Sequence, residues 1–421
     1  MLLDLLMISN IAVPTMCIIG FCHNNKGFTI DHVFILSAGF IFYWILPFFI
    51  YNFGFFSYPF SLSEKALSAA HGKTNTNLTH ILQLQYFIIT SGIYTSFIIG
   101  HILSVRMRII YFRINHFSLK PLKYLAFVYL AFLILLTVGH YGYLFKGYTK
   151  EVFTLKGNII TLNILILTLL MMYFTLLDKS FKFRNIFHNY IFYLYLICTI
   201  FLASLGNRTW IICGILSFFI IYTNYYKRIP IKWAGLGLAL LVVVVATSAQ
   251  YRTGDFRSIP IDRIISLALH DTFVIHLGLK DYLSNNDINI FNFPIVLVSK
   301  LYKIIPTLIM PNKAEMYYTY SDIGVNYTSV QAAWHSFGTL MTHFGAGGSM
   351  LLSFILPFIM NYLKNSIYLK ASYIVITAHF AAPLFRDFDD FAIKIVLQIC
   401  IIMPLIYLLI CNIYPKITNK L

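Results

Sequence analysis

Four arginines, a group of aromatic residues and one histidine are the side chains of this sequence best suited to chemistry. Arg208 stands in Gly206-Asn207-Arg208, the whole gap between two apolar runs, Tyr190–Leu205 and Thr209–Thr223. Each run approaches the minimum length for crossing a bilayer, so the joint reads as a tight hairpin at one membrane face. A guanidinium at that depth costs roughly 2.5–3.5 kcal/mol on insertion scales unless it meets a partner or water. Arg208 therefore either holds an anionic headgroup or snorkels to the interface and binds nothing in particular. Arg252 and Arg257 lie in Tyr251-Arg252-Thr253-Gly254-Asp255-Phe256-Arg257, and Arg386 opens Arg386-Asp387-Phe388-Asp389-Asp390. Arginine suits phosphate because its planar fork donates two hydrogen bonds to paired oxygens. Tyr317, Tyr318, Tyr320, Tyr327 and Trp334 either offer flat surfaces to sugar rings or form an interfacial aromatic belt. Carboxylates among them can take protons from sugar hydroxyls. These components fit a glycan linked to lipid through a diphosphate.

The elements that must position these residues are membrane helices. Of 421 residues, 59% are hydrophobic and 11% charged, which excludes a soluble globular protein. Eleven predominantly apolar stretches, most near the roughly 20 residues a span requires, lie at about 3–22, 33–55, 82–104, 124–144, 159–177, 190–206, 209–225, 233–250, 337–363, 371–385 and 391–412. The N-terminus lacks a basic leader region, so the first run reads as a spanning helix rather than a cleaved signal. The expected fold is an all-α polytopic membrane protein with about 11 transmembrane helices. Residues 1–250 hold helices one to eight, 251–336 form one large external loop, and 337–421 hold the last three helices and a tail.

Charge gives the orientation. The loops 23–32, 105–123, 178–189, 226–232 and 364–370, with the C-terminal tail, share a side and contain sixteen of the 31 Lys and Arg residues. The opposite short loops and helix ends hold eight, and Lys and Arg accumulate on the cytoplasmic side. The C-terminus is thus expected inside and the N-terminus outside. Of the 15 acidic residues only Asp31 and Asp178 fall on the inner side. The net charge of +16 is mostly a signal of topology and of affinity for anionic bilayer lipids, not of nucleic-acid binding. The six cysteines lie in or beside apolar runs without metal-ligand or redox spacing, so no metal and no cofactor is expected.

Residues 251–336 are too apolar for a disordered linker. Ile264, Ile265, Ala268, Leu269, Thr272 and Phe273 recur at helical spacing. The stretch Phe293–Leu308, interrupted by Pro294 and Pro306, reads as a re-entrant or interfacial helix on the outer leaflet. Trp334-His335-Ser336 then leads into a span whose start, through Phe344-Gly345-Ala346-Gly347-Gly348, allows close backbone approach.

Over roughly residues 190–395 the chain resembles the bacterial Wzy-type polymerases of oligosaccharide repeat units, including O-antigen and enterobacterial common antigen polymerases. The likeness rests on Leu205-Gly206-Asn207-Arg208-Thr209, on His270-Asp271-Thr272-Phe273, on Ile304-Ile305-Pro306 through Met310-Pro311-Asn312-Lys313, and on His335-Ser336-Phe337-Gly338 with Phe344-Gly345-Ala346-Gly347 and Phe385-Arg386-Asp387. Ala314 stands where that family usually has Pro. Common antigen polymerases have Thr at the place of His335, whereas O-antigen ligases have a His leading into a similar helix. The resemblance implies a GT-C-like bundle in the bacterial inner membrane, with one large periplasmic loop and the active site facing the periplasm. It also implies glycosyl transfer from one undecaprenyl-diphosphate-linked oligosaccharide to the non-reducing end of another. A chain-length regulator and a flippase of the same pathway are the partners it implies.

In this reading Arg208 and Arg386 hold the diphosphate, Arg252 and Arg257 assist, and Tyr320 and Trp334 contact glycan. His335 is the general base, with Asp271 in reserve, since an imidazole near its free pKa transfers protons well at neutral pH. The competing role for His335 is structural, as a cap on the ninth span. O-antigen ligase and lipid-linked glycan flippase or transporter are the rival functions. A transporter should place charges within helices at mid-bilayer, whereas nearly all here cluster at the faces.

Overall fold

A computed structural model describes residues 2–24, 29–48, 78–107, 120–138, 152–176, 182, 184–204, 209–228, 275–276, 278–304, 310, 312–325, 335–366, 369–381, 383–386, 388–403, 406–407 and 409. Among these the chain is all helical, with 86% helix and no strand. In chain order the principal helices are α1 (Leu2–Asn24), α2 (His32–Gly39), α3 (His80–Arg106), α4 (Lys120–Val138), α5 (Val152–Leu176), α6 (Tyr190–Ser204), α7 (Thr209–Ile221), α8 (Ser336–Asn365), α9 (Lys370–His379) and α10 (Phe391–Ile402). α2 and α7 continue through wider turns, Phe40–Ile45 and Tyr222–Tyr226, and α10 is wound in the same wide form. Each of these helices overlies one of the predicted apolar stretches; the stretch 233–250 lies outside the described residues.

Among the described residues five segments are long and apolar enough to cross a membrane: Leu3–Gly20, His80–Arg106, Ile159–Leu176, Thr209–Tyr226 and Ser336–Asn365. Three shorter apolar helices, His32–Phe48, Leu122–Leu136 and Tyr190–Ser204, accompany them. Their outward faces are themselves apolar: Leu5, Ile8, Met16 and Ile19 on α1, and Phe127, Phe132 and Leu135 on α4, are exposed. Such contiguous surface is costly in water and neutral against hydrocarbon, which is the signature of a membrane protein.

Since lipid tails give no hydrophobic drive for helices to associate, contact depends on small residues and internal hydrogen bonds. Among the described helices α3 and α8 form the most extensive pair. A side chain at Gly100 would meet the Phe354 carbonyl, and one at Gly92 the Met350 side chain. Ser353 Oγ donates to the Ile93 carbonyl at 2.9 Å, and Asn361 Nδ2 to Ser104 Oγ at 2.6 Å. Between α6 and α7, Gly214 leaves room for the Tyr195 hydroxyl.

α8 is broken. Gly345 adopts φ 70°, ψ −177°, a conformation open essentially to glycine alone. A break inside a membrane helix leaves backbone groups that must be satisfied by protein. The segment 289–292 does so: Ala346 N–H donates to the Asn289 carbonyl (2.9 Å) and Gly347 N–H to that of Ile290 (2.8 Å), while Asn292 N–H donates to the Phe344 carbonyl (3.1 Å). Asn292 Nδ2 adds a bond to the Met341 carbonyl at 2.9 Å.

Polar ends gather at the two extremities of the bundle. At one, Asp31 caps α2 by accepting from the Val33 and Phe34 N–H groups and faces Lys364 at 3.6 Å. The Tyr225 hydroxyl donates to the Lys364 carbonyl, that of Tyr226 to the Phe174 carbonyl, and Asn224 Nδ2 to the Ile30 carbonyl. These residues border the loops that charge alternation groups on one side. The stretch Phe293–Leu308 is less regular than a single interfacial helix: among its described residues it forms one short helix, Ile295–Ser299, then a tighter turn, Lys300–Ile304. Proline accounts for the first boundary, since Pro294 sits at the helix start.

Candidate functional site

The opposite end of the bundle holds the candidate site. Asp389, in the short turn Phe388–Asp390 just before α10, directs its carboxylate at His343 of α8 and at Lys300 and Tyr320. Oδ1 accepts from His343 Nε2 at 2.6 Å, and Oδ2 accepts from the Tyr320 hydroxyl at 2.9 Å and from the Lys300 ammonium. Tyr320 Oη also lies 3.3 Å from His343 Nε2, and the Lys300 ammonium stands 5.2 Å from the centre of the Tyr320 ring. His343 and Tyr320 are buried, and the Lys300 and Asp389 side chains are 18% and 10% exposed.

Each member is placed by local structure. His343 stands two residues before the break in α8. Ser299 Oγ donates to the Val296 carbonyl of its own helix at 2.8 Å and accepts the Tyr318 N–H at 3.0 Å, which folds 317–320 back against Lys300. Gly324, at φ 73°, closes the turn after Tyr320, and the Val325 N–H donates to the Tyr320 carbonyl. Burial works against the Asp389 charge, but the hydrogen bond and charge of His343, with those of Lys300, outweigh it and hold the carboxyl well below the usual carboxylate range. The cluster is thus a buried carboxylate saturated by three donors, with its cation at the wetter edge.

His335, the base proposed from the sequence, is fully buried and occupies the capping position of α8. Its Nδ1 accepts the Phe337 N–H at 3.1 Å, and its Nε2 lies 3.3 Å from the Tyr43 carbonyl. The tautomer follows: Nε2 carries the proton. Burial lowers its pKa from the usual 6.5 to about 3, with the Tyr43 carbonyl acting only partly against that. Around it, Trp44 Nε1 donates to Ser336 Oγ at 2.9 Å and the Tyr86 hydroxyl donates to the Trp44 carbonyl at 2.9 Å. The Tyr43 ring stacks on Phe385 at 5.4 Å. The wide turn Phe40–Ile45 supplies both Tyr43 and Trp44, so a departure from α-geometry in α2 builds the seat of this imidazole. This is the capping arrangement, the structural alternative to a base.

Of the other residues nominated from sequence, Tyr320 is in the Asp389 cluster. Arg386 ends the short helix Pro383–Arg386, three positions before Asp389. Arg208, Arg252, Arg257, Asp271 and Trp334 lie outside the described residues. The helices bordering Arg208 are in place: α6 ends at Ser204 and α7 starts at Thr209, and the Tyr195 hydroxyl lies 3.5 Å from the Trp210 carbonyl. The Trp210 ring contacts that of His379, the last residue of α9, at 5.2 Å. Lys300, His343 and Asp389 are the members that sequence reasoning missed, Asp389 having entered only as part of the run that opens with Arg386. A lysine and a histidine in long apolar stretches were the available signal, but nothing in their spacing links them to Asp389. No group of three His, Cys, Asp or Glu side chains placed to hold a metal occurs among the described residues. No family model, curated protein or solved structure matches this chain.

Proposed function

We propose that the protein polymerises oligosaccharide repeat units carried on undecaprenyl diphosphate, acting as a membrane glycosyltransferase at the periplasmic face of the bacterial inner membrane. One observation supports the reading most: residues scattered over the second half of the chain, at 300, 320, 343 and 389, meet at one end of the bundle. Two of them fall inside or beside the polymerase-like stretches His335–Gly347 and Phe385–Asp387. In this reading the cluster is a positioning device. It ties the 300–320 segment, the broken helix α8 and the turn that carries Arg386 into one unit.

Diphosphate is a good leaving group, so the protein's task is to neutralise developing negative charge and to take up one hydroxyl proton. Arg208 and Arg386 bind the diphosphate with Arg252 and Arg257, and Trp334 meets the glycan. Because both His335 nitrogens face backbone groups, His335 is assigned to capping α8 and Asp271 to proton transfer. That capping geometry favours polymerase over ligase, in whose likeness the histidine is the shared feature.

The test is the surface polysaccharide of a strain lacking this protein. Loss of a polymerase leaves single repeat units on the lipid core. Loss of a ligase leaves bare core with polymer accumulating on the carrier lipid, and an unchanged ladder removes both readings. Complementation with Arg208→Ala should fail to restore chain extension at normal protein abundance, and Arg208→Lys should restore it only partly, since a point charge cannot reproduce bidentate contact with phosphate.

A further inference from the structure

The segment that delivers Lys300 to Asp389 has an unusual surface. Ile290, Phe291 and Phe293 are 71%, 68% and 74% exposed, and Ile295, Val298, Leu301 and Tyr302 behind them are exposed as well. None belongs to a helix long enough to span. Isolated apolar side chains on a surface need no explanation, but a contiguous patch of this kind marks a contact.

What covers the patch follows from its neighbour. The Phe291 ring lies over Gly347 of α8, 2.9 Å from where a side chain there would begin, and its edge reaches Gly348. Leu351, Ile355 and Ile359 succeed Gly347 at four-residue intervals, so they share its helix face, and all three are exposed. That face belongs to a helix apolar and long enough to cross the bilayer, which makes it lipid-facing. Phe291 therefore sits at the head of a stripe already in contact with hydrocarbon, and Ile290 and Phe293 extend it beyond the helix. The far flank is polar, since Ser284, Asn285, Asp287 and Asn289 are exposed on the approach to the patch. Apolar tip, polar shoulder and a lysine beyond it is the order in which side chains meet a leaflet from acyl chains to headgroups. The backbone is not free to retract, because the hydrogen bonds of residues 289, 290 and 292 clamp it to the break in α8.

We propose that Ile290, Phe291 and Phe293 insert into the acyl-chain region of the leaflet at this end of the bundle. The 289–302 segment is then a lipid-anchored strap that holds Lys300 at the depth of Asp389. This inference rests on the membrane character of the chain and not on the polymerase reading.

The test places a nitrobenzoxadiazole fluorophore at Phe293→Cys in a chain whose six native cysteines are replaced, reconstituted in phosphatidylethanolamine–phosphatidylglycerol nanodiscs. Ile355→Cys and Asn285→Cys serve as references for hydrocarbon and water. Phospholipids with a doxyl group on the acyl chain should quench the 293 label about as strongly as the 355 label, and several-fold more than the 285 label. Iodide should give the reverse order. Iodide quenching at 293 equal to that at 285, without doxyl quenching, overturns the proposal by placing the strap in water. Quenching by neither overturns it too, by placing the strap under protein. Should the cysteine-free chain not fold, a benzoylphenylalanine at Phe293 in the otherwise native protein gives the second readout. A phospholipid adduct supports the strap, and a cross-linked dimer of the chain refutes it.

Discussion

Replacing either partner of the Lys300–Asp389 pair should destabilise the protein, and replacing both should cost less than the sum. Asp389→Asn keeps the shape but removes the charge from a carboxylate that is 10% exposed and accepts from three donors. Breaking a buried pair from one side costs about 3–5 kcal/mol, chiefly because the remaining charge is stranded. Lys300, 18% exposed, can swing part of its ammonium toward the headgroups, so the lower end, about 3 kcal/mol, is expected. Lys300→Met leaves Asp389 with His343 and Tyr320, and the loss of one charged hydrogen bond gives about 1.5–3 kcal/mol. Residues in one network couple by about 0.5–3 kcal/mol, so the double variant should be more stable than additivity by about 1–2 kcal/mol. Reversible unfolding in mixed micelles, followed by tryptophan fluorescence for the wild type and the three variants, closes the cycle. Additivity within about 0.3 kcal/mol, or Asp389→Asn as stable as wild type, would refute the view that this pair joins the 300–320 segment to α10. The sign with pH is also set. A carboxyl depressed in the fold contributes its stability above the unfolded carboxylate pKa of about 4 and loses it only as pH falls further, through the folded value. The deficit of Asp389→Asn should therefore persist at pH 5 and shrink only in stronger acid.

His335 should behave as a cap. Its folded pKa of about 3 lies below the usual 6.5, so its stabilising share is complete above pH 6.5 and is lost as pH falls toward 3, by up to about 1.4 kcal/mol per pH unit. His335→Asn should lower stability at pH 7 and flatten that acid loss while keeping the per-molecule rate of chain extension; a fall of about 10²–10⁴-fold in rate with stability intact would restore the base. Gly345→Ala forces a side chain into φ 70° and to 2.6 Å from the Ile290 carbonyl, so a loss of at least about 2 kcal/mol in the same unfolding measurement is expected, and a neutral effect would show that the helix break is not required. Topology is checked by an impermeant thiol reagent on intact cells: Asn285→Cys and Asn312→Cys should label and Asn365→Cys should not, and the reverse pattern inverts the orientation.

Much of the architecture is legible in the linear chain because hydropathy is a local property and the bilayer supplies a fixed length against which each apolar run is measured. Helices α1 to α10 lie on the predicted stretches for that reason. The ends bearing Asp31, Asn224 and Lys364 meet because alternating spans must return their loops to the same face. The close approach at Gly345–Gly347 was visible too, since glycine there has no other obvious use, although its partner, the 289–292 segment, was not. The charged cluster and the capping position of His335 were decided only in three dimensions. Lys300, Tyr320, His343 and Asp389 stand on four separate elements, and no periodicity relates them. An imidazole ahead of a helix has the same sequence whether it faces substrate or backbone. The wide turn in α2 brings the Tyr43 carbonyl to His335, and burial lowers the pKa of that imidazole. Hydrophobic length is written residue by residue, whereas a pKa and an ion pair belong to whatever the fold packs around them.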